Sequence, residues 1–194
     1  MAEPLPKVRP LPLLARMQAR HAHRIDCQRL QYHALLLAGG IVALAGTILL
    51  SPRPRLVWNA SPSAPIGLYA VVPAQAIARG TMVIAWPPRS ARELAARRRY
   101  LPRGVPLVKR VAAVEGDYVC ARGLHVTVNG RHAAIRQTHD GAGRALPQWQ
   151  GCYRLGSGAL FLLMTHRADS FDGRYFGISC SPDIVGRAIP LWLL

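Results

Sequence analysis

Residues 34–50, "ALLLAGGIVALAGTILL", carry no charged or strongly polar side chain over seventeen positions. As a helix such a run extends about 25 Å, near the lower limit for crossing the hydrocarbon core of a bilayer. A helix apolar on every side has two homes, a membrane or the centre of a protein large enough to wrap it. Burial would require the whole domain to wrap around it, so the run predicts a transmembrane helix, with Tyr32 and Trp58 flanking it at interfacial positions. Everything else in the chain must be organised around that element.

Arg16, Arg20, Arg24 and Arg29 precede the run, whereas the first twenty residues after it hold only Arg53 and Arg55. Positive charge favours the cytoplasmic side, which predicts a single pass with a cytoplasmic N-terminus. The expected division is a cytoplasmic tail over 1–33, a transmembrane helix over 34–50 and an extracytoplasmic domain over 51–194. The leader before the apolar run exceeds thirty residues, too long for the n-region of a cleaved signal peptide.

A net charge of +16 invites a nucleic-acid reading. Only Lys7 and Lys109 are lysine among the 25 basic residues, however, so the charge reads as a chain-wide arginine preference. No nucleic-acid module is recognisable, and no nucleic-acid partner is expected. The densest run, Arg97, Arg98 and Arg99, reads as a solvated helix face.

Cys27, Cys120, Cys152 and Cys180 form no CxxC pair and no Cys/His metal pattern. An oxidising compartment would allow one disulfide among the last three, and spacing does not choose the pair.

The region after the apolar run reads as short strands: 67–72, 81–86, 106–114, 117–120, 124–130, 159–164 and 184–194 are β-branched or alternating runs bounded by Gly, Pro or Asp. Asn129-Gly130 is a hairpin turn signal. One helix is predicted over 90–101, with Ser90 as its cap and Glu93 completing a capping box. The predicted class is mainly β, an antiparallel sheet or barrel-like domain behind one N-terminal transmembrane helix.

Lys109 is the only lysine after residue 50. Strand alternation places it on a face with Leu107, Val111 and Ala113. A lysine among apolar neighbours is desolvated and its pKa falls, so its neutral amine becomes accessible near pH 7; arginine cannot serve as a base there. The plainer alternative is a lysine whose stem covers apolar surface at a strand edge. His125, His132, His139 and His166 sit singly and read as surface residues. A serine hydroxyl needs a base before it acts as a nucleophile, and Ser–Lys is one such arrangement. The segment "NASPSAPIGLY", residues 59–69, supplies Ser61 and Ser63. Asn59-Ala60-Ser61 also spells a glycosylation sequon, too common a tripeptide to carry weight.

Three blocks carry a resemblance. "SPSAPIGLY" (61–69), "PLVKRVAAVEGD" (106–117) and "DSFDGRYFG" (169–177) occur in that order behind the apolar run. Together they resemble the type I signal peptidase family and, within it, the TraF-type conjugative-transfer branch. The likeness extends from the anchor to the C-terminus. It implies a membrane-anchored serine endopeptidase on a mostly β domain facing the periplasm across the inner membrane. Its implied partner is a precursor protein bearing a signal peptide or a pilin precursor, with no cofactor and no metal. It also allows cyclisation of a pilin precursor.

By position, Ser63 matches the nucleophile and Lys109 the general base. Ser61 matches a hydroxyl that assists the oxyanion hole, and Ser170, Asp172 and Arg174 match a supporting block. Ser61 as nucleophile is the competing register. The resemblance, with spacing, also selects Cys120 and Cys152 as the disulfide and leaves Cys180 unpaired. Three departures stand out, one of them the lead-in to the third block, which is reduced to "THRAD" (165–169). Ala64 and Pro65 replace the methionine and more distant proline that follow the nucleophile in the wider family, and Gly173 stands where that family usually has serine. The alternative function is a catalytically inactive component of a transfer or secretion channel that keeps the fold.

Overall fold

The computed structural model describes residues 12–49, 54–74 and 76–194, with side chains of the N-terminal helix described over 29–47. Residues 1–11 of the expected tail, the side chains of Arg16, Arg20, Arg24 and Cys27, and Leu50 of the expected span lie outside the described residues. The chain divides into two units at Pro52/Arg53.

The first unit is one helix, α1 (Pro12–Leu49). It begins well inside the segment expected as a tail. Its stretch Arg29–Thr47, of mean hydropathy 1.4, is long and apolar enough to cross a membrane. Leu35, Leu36, Leu37, Ile41, Val42 and Leu44 are exposed around it, a surface that water solvates poorly.

The second unit is antiparallel throughout. Its strands are β1 (Leu56–Asn59), β2 (Gly67–Val72), β3 (Met82–Ala85), β4 (Leu107–Ala113), β5 (Tyr118–Arg122), β6 (His125–Val128), β7 (Arg131–Ile135), β8 (Gly151–Arg154), β9 (Ala159–Leu162), β10 (Ser179–Cys180) and β11 (Ile184–Leu193), with two helices, α2 (Arg89–Arg97) and α3 (Gly173–Phe176). A seven-stranded sheet has the order β1-β2-β11-β3-β4-β9-β10, and a four-stranded sheet the order β7-β6-β5-β8. The mainly β, antiparallel class expected from the strand pattern is what the chain adopts.

All seven expected strands form, most of them a residue or two shorter at their ends. β7 and β8 escaped the pattern because they are short and mostly exposed, and β1 and β10 because four and two residues are too few for a period to show. Asn129 and Gly130, at φ 51° and 75°, make the tight turn between β6 and β7.

Ser90 is not the helix cap. α2 starts a residue earlier with Pro88 at the N-cap and no side-chain cap hydrogen bond. Glu93, instead of closing a capping box, accepts from Arg89 Nε one turn away at 3.3 Å. The helix ends at Arg97 rather than residue 101, where Arg99 adopts φ 59° and turns the chain. Arg98 is not part of a solvated face either: its side chain is mostly buried beside Asp140.

Three apolar clusters form the core. Val57, Tyr69, Ile84, Val108 and Met164 pack together beneath the turn between β1 and β2. Val83, Val111 and Leu162 fill the middle of the large sheet, and Val119, Val126, Phe161 and Leu163 join it to the small one. Cys120 and Cys152, directly opposite on β5 and β8, are joined by a disulfide, and Cys180 is free and exposed.

Candidate active site

The turn between β1 and β2 is built by one buried side chain. Asn59 ends β1, and its Nδ2 donates to the carbonyls of Ser61 (2.9 Å), Ala64 (3.1 Å) and Pro65 (3.0 Å). Its Oδ1 accepts from Ser61 N–H at 3.2 Å, an Asx-type turn. Tyr69 Oη donates to Pro65 O at 2.7 Å and ties the far end of the turn to β2. Gly67 sits at φ 152°, and a Cβ there would stand 2.1 Å from Trp192 O on β11. Only glycine allows β2 to start so close to that strand. This stitching leaves Ser63 at the crest of the turn, 7% exposed.

β4 brings the base. Lys109, Val111 and Ala113 are buried along the expected face while Arg110 points to solvent. Lys109 is 2% exposed, and its Nζ donates to Ser63 Oγ and to Ser170 Oγ, both at 2.8 Å. Burial pushes the amine down from 10.5 to about 8, against the upward pull of Asp172; Arg174 adds a smaller downward effect and Asp169 a smaller upward one. A lysine so placed can hold a serine oxygen as an ammonium and take its proton as an amine.

Ser61 Oγ lies 3.0 Å from Ser63 Oγ and accepts from Ser63 N–H at 3.4 Å. Its bonds run to Ser63 and not to Lys109, the arrangement of a neighbour rather than of the lysine's own partner. A backbone N–H and a hydroxyl therefore stand beside Ser63 Oγ, the types of donor that can meet an oxyanion.

The third block braces Ser170. Asp172 caps α3 by accepting from Arg174 N–H at 3.2 Å, and its Oδ1 takes Arg174 Nε at 2.8 Å. Both side chains are at most 1% exposed. Asp172 Oδ2 accepts from Met164 N–H, and Arg174 Nη2 returns to Met164 O at 2.7 Å. The pair therefore locks the loop carrying Ser170 to the end of the strand that leads from β9. Neither residue bonds Lys109 directly.

Ser61, Ser63, Lys109 and Ser170 thus meet at one place, with Asp172 and Arg174 behind them. The disulfide lies in the small sheet, apart from this group. His125, His132, His139 and His166 are all exposed and none bonds to the serines. Ser63 and Lys109 line a cleft of about 540 Å³ whose walls include Tyr100, Leu107 and Phe171.

The sequence marks Asn59 only as part of a sequon and does not mark Tyr100 at all. Asn59 had one usable signal, an Asx residue two positions before a serine in a Pro-rich turn. Tyr100 reaches the cleft through contacts with Asp140 and Phe171 that no local pattern announces.

Several proteins resemble this chain. The plasmid transfer protein TraF of Escherichia coli is 34% identical over 161 residues, covering 77% of this chain and 88% of that protein. The conjugal transfer protein TraF of Agrobacterium fabrum is 32% identical over 143 residues, 69% of this chain and 80% of that protein. A signal peptidase I structure from Enterococcus faecalis aligns with 21% identity and a TM-score of 0.33, covering 58% of this chain and 98% of that one, too distant for the two sites to be compared. The family described as signal peptidase, peptidase S26, matches residues 29–193. Over that length, nearly everything from the apolar helix to the last strand, this chain belongs to the peptidase S26 signal peptidase family.

Proposed function

We propose that this protein is a membrane-anchored serine endopeptidase that processes precursor proteins in conjugal transfer, with Ser63 as nucleophile and Lys109 as general base. The observation that carries the reading is the buried Lys109 Nζ at 2.8 Å from Ser63 Oγ. Family membership supports peptidase chemistry, and the names of the relatives support the transfer setting.

In this reading neutral Lys109 takes the Ser63 proton as Oγ attacks the carbonyl of an extended precursor. The Ser63 N–H and the Ser61 hydroxyl meet the resulting oxyanion. Lys109 then returns the proton to the leaving amine, leaving an acyl-enzyme on Ser63. Water, deprotonated by the same lysine, releases a shortened product. If the precursor's own N-terminal amine attacks instead, the product is a cyclic pilin. Ser170 and the Asp172–Arg174 pair hold the lysine toward Ser63 throughout.

The organisation that goes with this activity is a tail over 1–33, a span over 34–50 and a periplasmic domain over 51–194. The arginine excess before the span supports a cytoplasmic N-terminus in the inner membrane.

The test is cleavage of a membrane-embedded pilin-type precursor by the full chain, by Ser63→Ala and by Lys109→Arg, with the product weighed by mass spectrometry. Both variants are expected to be inactive. Wild-type turnover in both would overturn the dyad, and a wild type inert on every precursor would favour the channel component. A product lighter by one water than the linear fragment identifies the amine route.

A further inference from the structure

Among the described residues, β8 closes one side of the small sheet and pairs with β5 alone. Immediately after it, Leu155 N–H donates to Asp117 O and Leu155 O accepts from Gly116 N–H, both at 2.8 Å. Backbone groups alternate in direction along an antiparallel strand. Gly151 and Tyr153 therefore bond toward β5, while Cys152 and Arg154 turn their N–H and C=O groups outward. Every residue of β8 is exposed. An edge left open in this way can pair with another strand.

The two sides of that edge differ in chemistry. Val119 and Ala121 of β5 are buried toward the core, so Tyr118 and Arg122 stand on the outer face, with Arg154 directly opposite Tyr118. The Arg154 guanidinium lies 6.0 Å from the centre of the Tyr118 ring. Arg122 and Arg154 are exposed and enter no salt bridge among the described residues. The strands β5, β6, β7 and β8 contain no Asp or Glu. On the inner side the edge is walled by Tyr153, 47% exposed, whose ring packs against Trp149 with centroids 5.9 Å apart. The Cys120–Cys152 disulfide joins β8 to β5, so the edge is held in place before any partner arrives.

We propose that β8 takes up, as an added antiparallel strand, an extended segment of another protein in which acidic and apolar residues alternate. Outward N–H and C=O groups require acceptors and donors in alternation at strand spacing, which a peptide backbone supplies and a phosphate does not. Successive side chains of the added strand point to opposite faces. Those on the outer face meet Arg154 and, one strand further in, Arg122, two guanidiniums without an acidic partner. Those on the inner side meet Tyr153. Binding there uses neither Ser63 nor Lys109, so it stands apart from the nucleophile assignment.

The experiment uses the full chain in an uncharged detergent. The probe is a fluorescent peptide in which Glu alternates with Val, and binding is read by anisotropy. Residues opposite Cys152 and Arg154 share their outer face, so the Glu nitrogens bond to β8 and the Val nitrogens point away from it. N-methylating the Glu residues should abolish binding, whereas N-methylating the Val residues should leave most of it. Lys in place of Glu should weaken binding about tenfold or more. Arg154→Ala removes one charge and should weaken it severalfold. Arg154→Pro also removes an outward N–H, at an edge position where proline is tolerated, and should weaken it further. Arg187→Glu, on β11, should change the affinity less than about twofold. Precursor cleavage at the wild-type rate shows that each variant is folded, and Arg122→Glu gives the charge reading if the proline variant is not.

Equal losses from methylating Glu and Val would mean that no strand is added and would overturn the proposal. Equal binding of the Glu and Lys peptides would remove the acidic partner. An Arg187→Glu variant as damaged as Arg154→Ala would reduce the effect to net charge. A DNA oligonucleotide held more tightly than the peptide, and equally dependent on Arg154, would make phosphate the ligand and overturn the proposal as well.

Discussion

Lys109 Nζ and Ser63 Oγ stand 2.8 Å apart across 46 residues of sequence, and the lysine reaches the serine from inside the fold. Because burial lowers the lysine's pKa to about 8, the amine is mostly protonated at pH 6 and mostly free at pH 9. Only the free amine can take the Ser63 proton. The logarithm of kcat/KM should therefore rise with pH and level off above about 8, with a loss of roughly a hundredfold between that plateau and pH 6. A pH–rate profile on one precursor checks this. A limb centred near 10 would mean that the lysine is not desolvated during turnover.

The same burial costs stability. The folded pKa is about 8 and the ordinary value 10.5, so between those two pH values the unfolded chain holds a proton that the folded chain has released. Folding stability rises with pH through that window and is flat below it. The cost of keeping the ammonium buried at pH 7 is on the order of 3 kcal/mol. Lys109→Met should be inactive yet gain stability at pH 7, less what the loss of its bond to Ser170 takes back. That advantage should shrink as pH climbs from 8 to 10.5. Denaturant unfolding of both full chains at pH 7.5 and 10 measures it, and a pH-independent difference would contradict the linkage.

How much of this was legible beforehand depended on whether the interaction is local. Lys109 announced itself as a lone lysine on an apolar strand face in an arginine-rich chain, a contrast of residue type that needs no tertiary structure. Ser63 became legible only with the Ser-x-Ser-x-Pro block around it, since nothing local shows which of two serines a residue 46 positions away will meet. Ser90 and Glu93 satisfy a local capping pattern, yet Pro88, with its φ of −48°, begins the helix first. The Tyr100–Asp140 clasp joins residues 40 apart through side chains alone, and no periodicity encodes it.

Gly173 now has a physical reason for replacing the serine usual in the wider family. A Cβ at that position would stand 2.7 Å from Leu162 O and 2.8 Å from Phe161 Cε2, both in the core. Neither neighbour is a free side-chain end, so the strand or the turn must shift. Gly173→Ser and Gly173→Ala should each cost about 1–3 kcal/mol by overpacking. Because Gly173 lies between Asp172 and Arg174, the shift should also loosen the loop that holds Ser170. A urea midpoint unchanged in either variant would show that the turn has room the geometry does not suggest.

Asn59 gives the sharpest separation of positioning from folding. Its amide holds three carbonyls of the turn bearing Ser63, and its own oxygen takes the Ser61 N–H. It hydrogen-bonds neither Ser63 nor Lys109, so in the proposed mechanism it acts by placing Ser63. Misplacement by an ångström costs reactions of this kind about a hundredfold, which sets the scale for Asn59→Ala at roughly ten- to a hundredfold in kcat with KM little changed. Asn59→Asp should be worse than alanine, since a carboxylate would face the same three carbonyl oxygens with nothing to donate. The pH limb near 8 should stay where it is in Asn59→Ala, because Lys109 keeps Ser170 and its buried surroundings, whereas the carboxylate of Asn59→Asp should move it upward, as Asp172 and Asp169 already pull. A variant with wild-type kcat would mean that Tyr69, bonded to Pro65 O, holds the turn alone. A limb that moves in Asn59→Ala would mean that the lysine's environment, and not the serine's position, had changed.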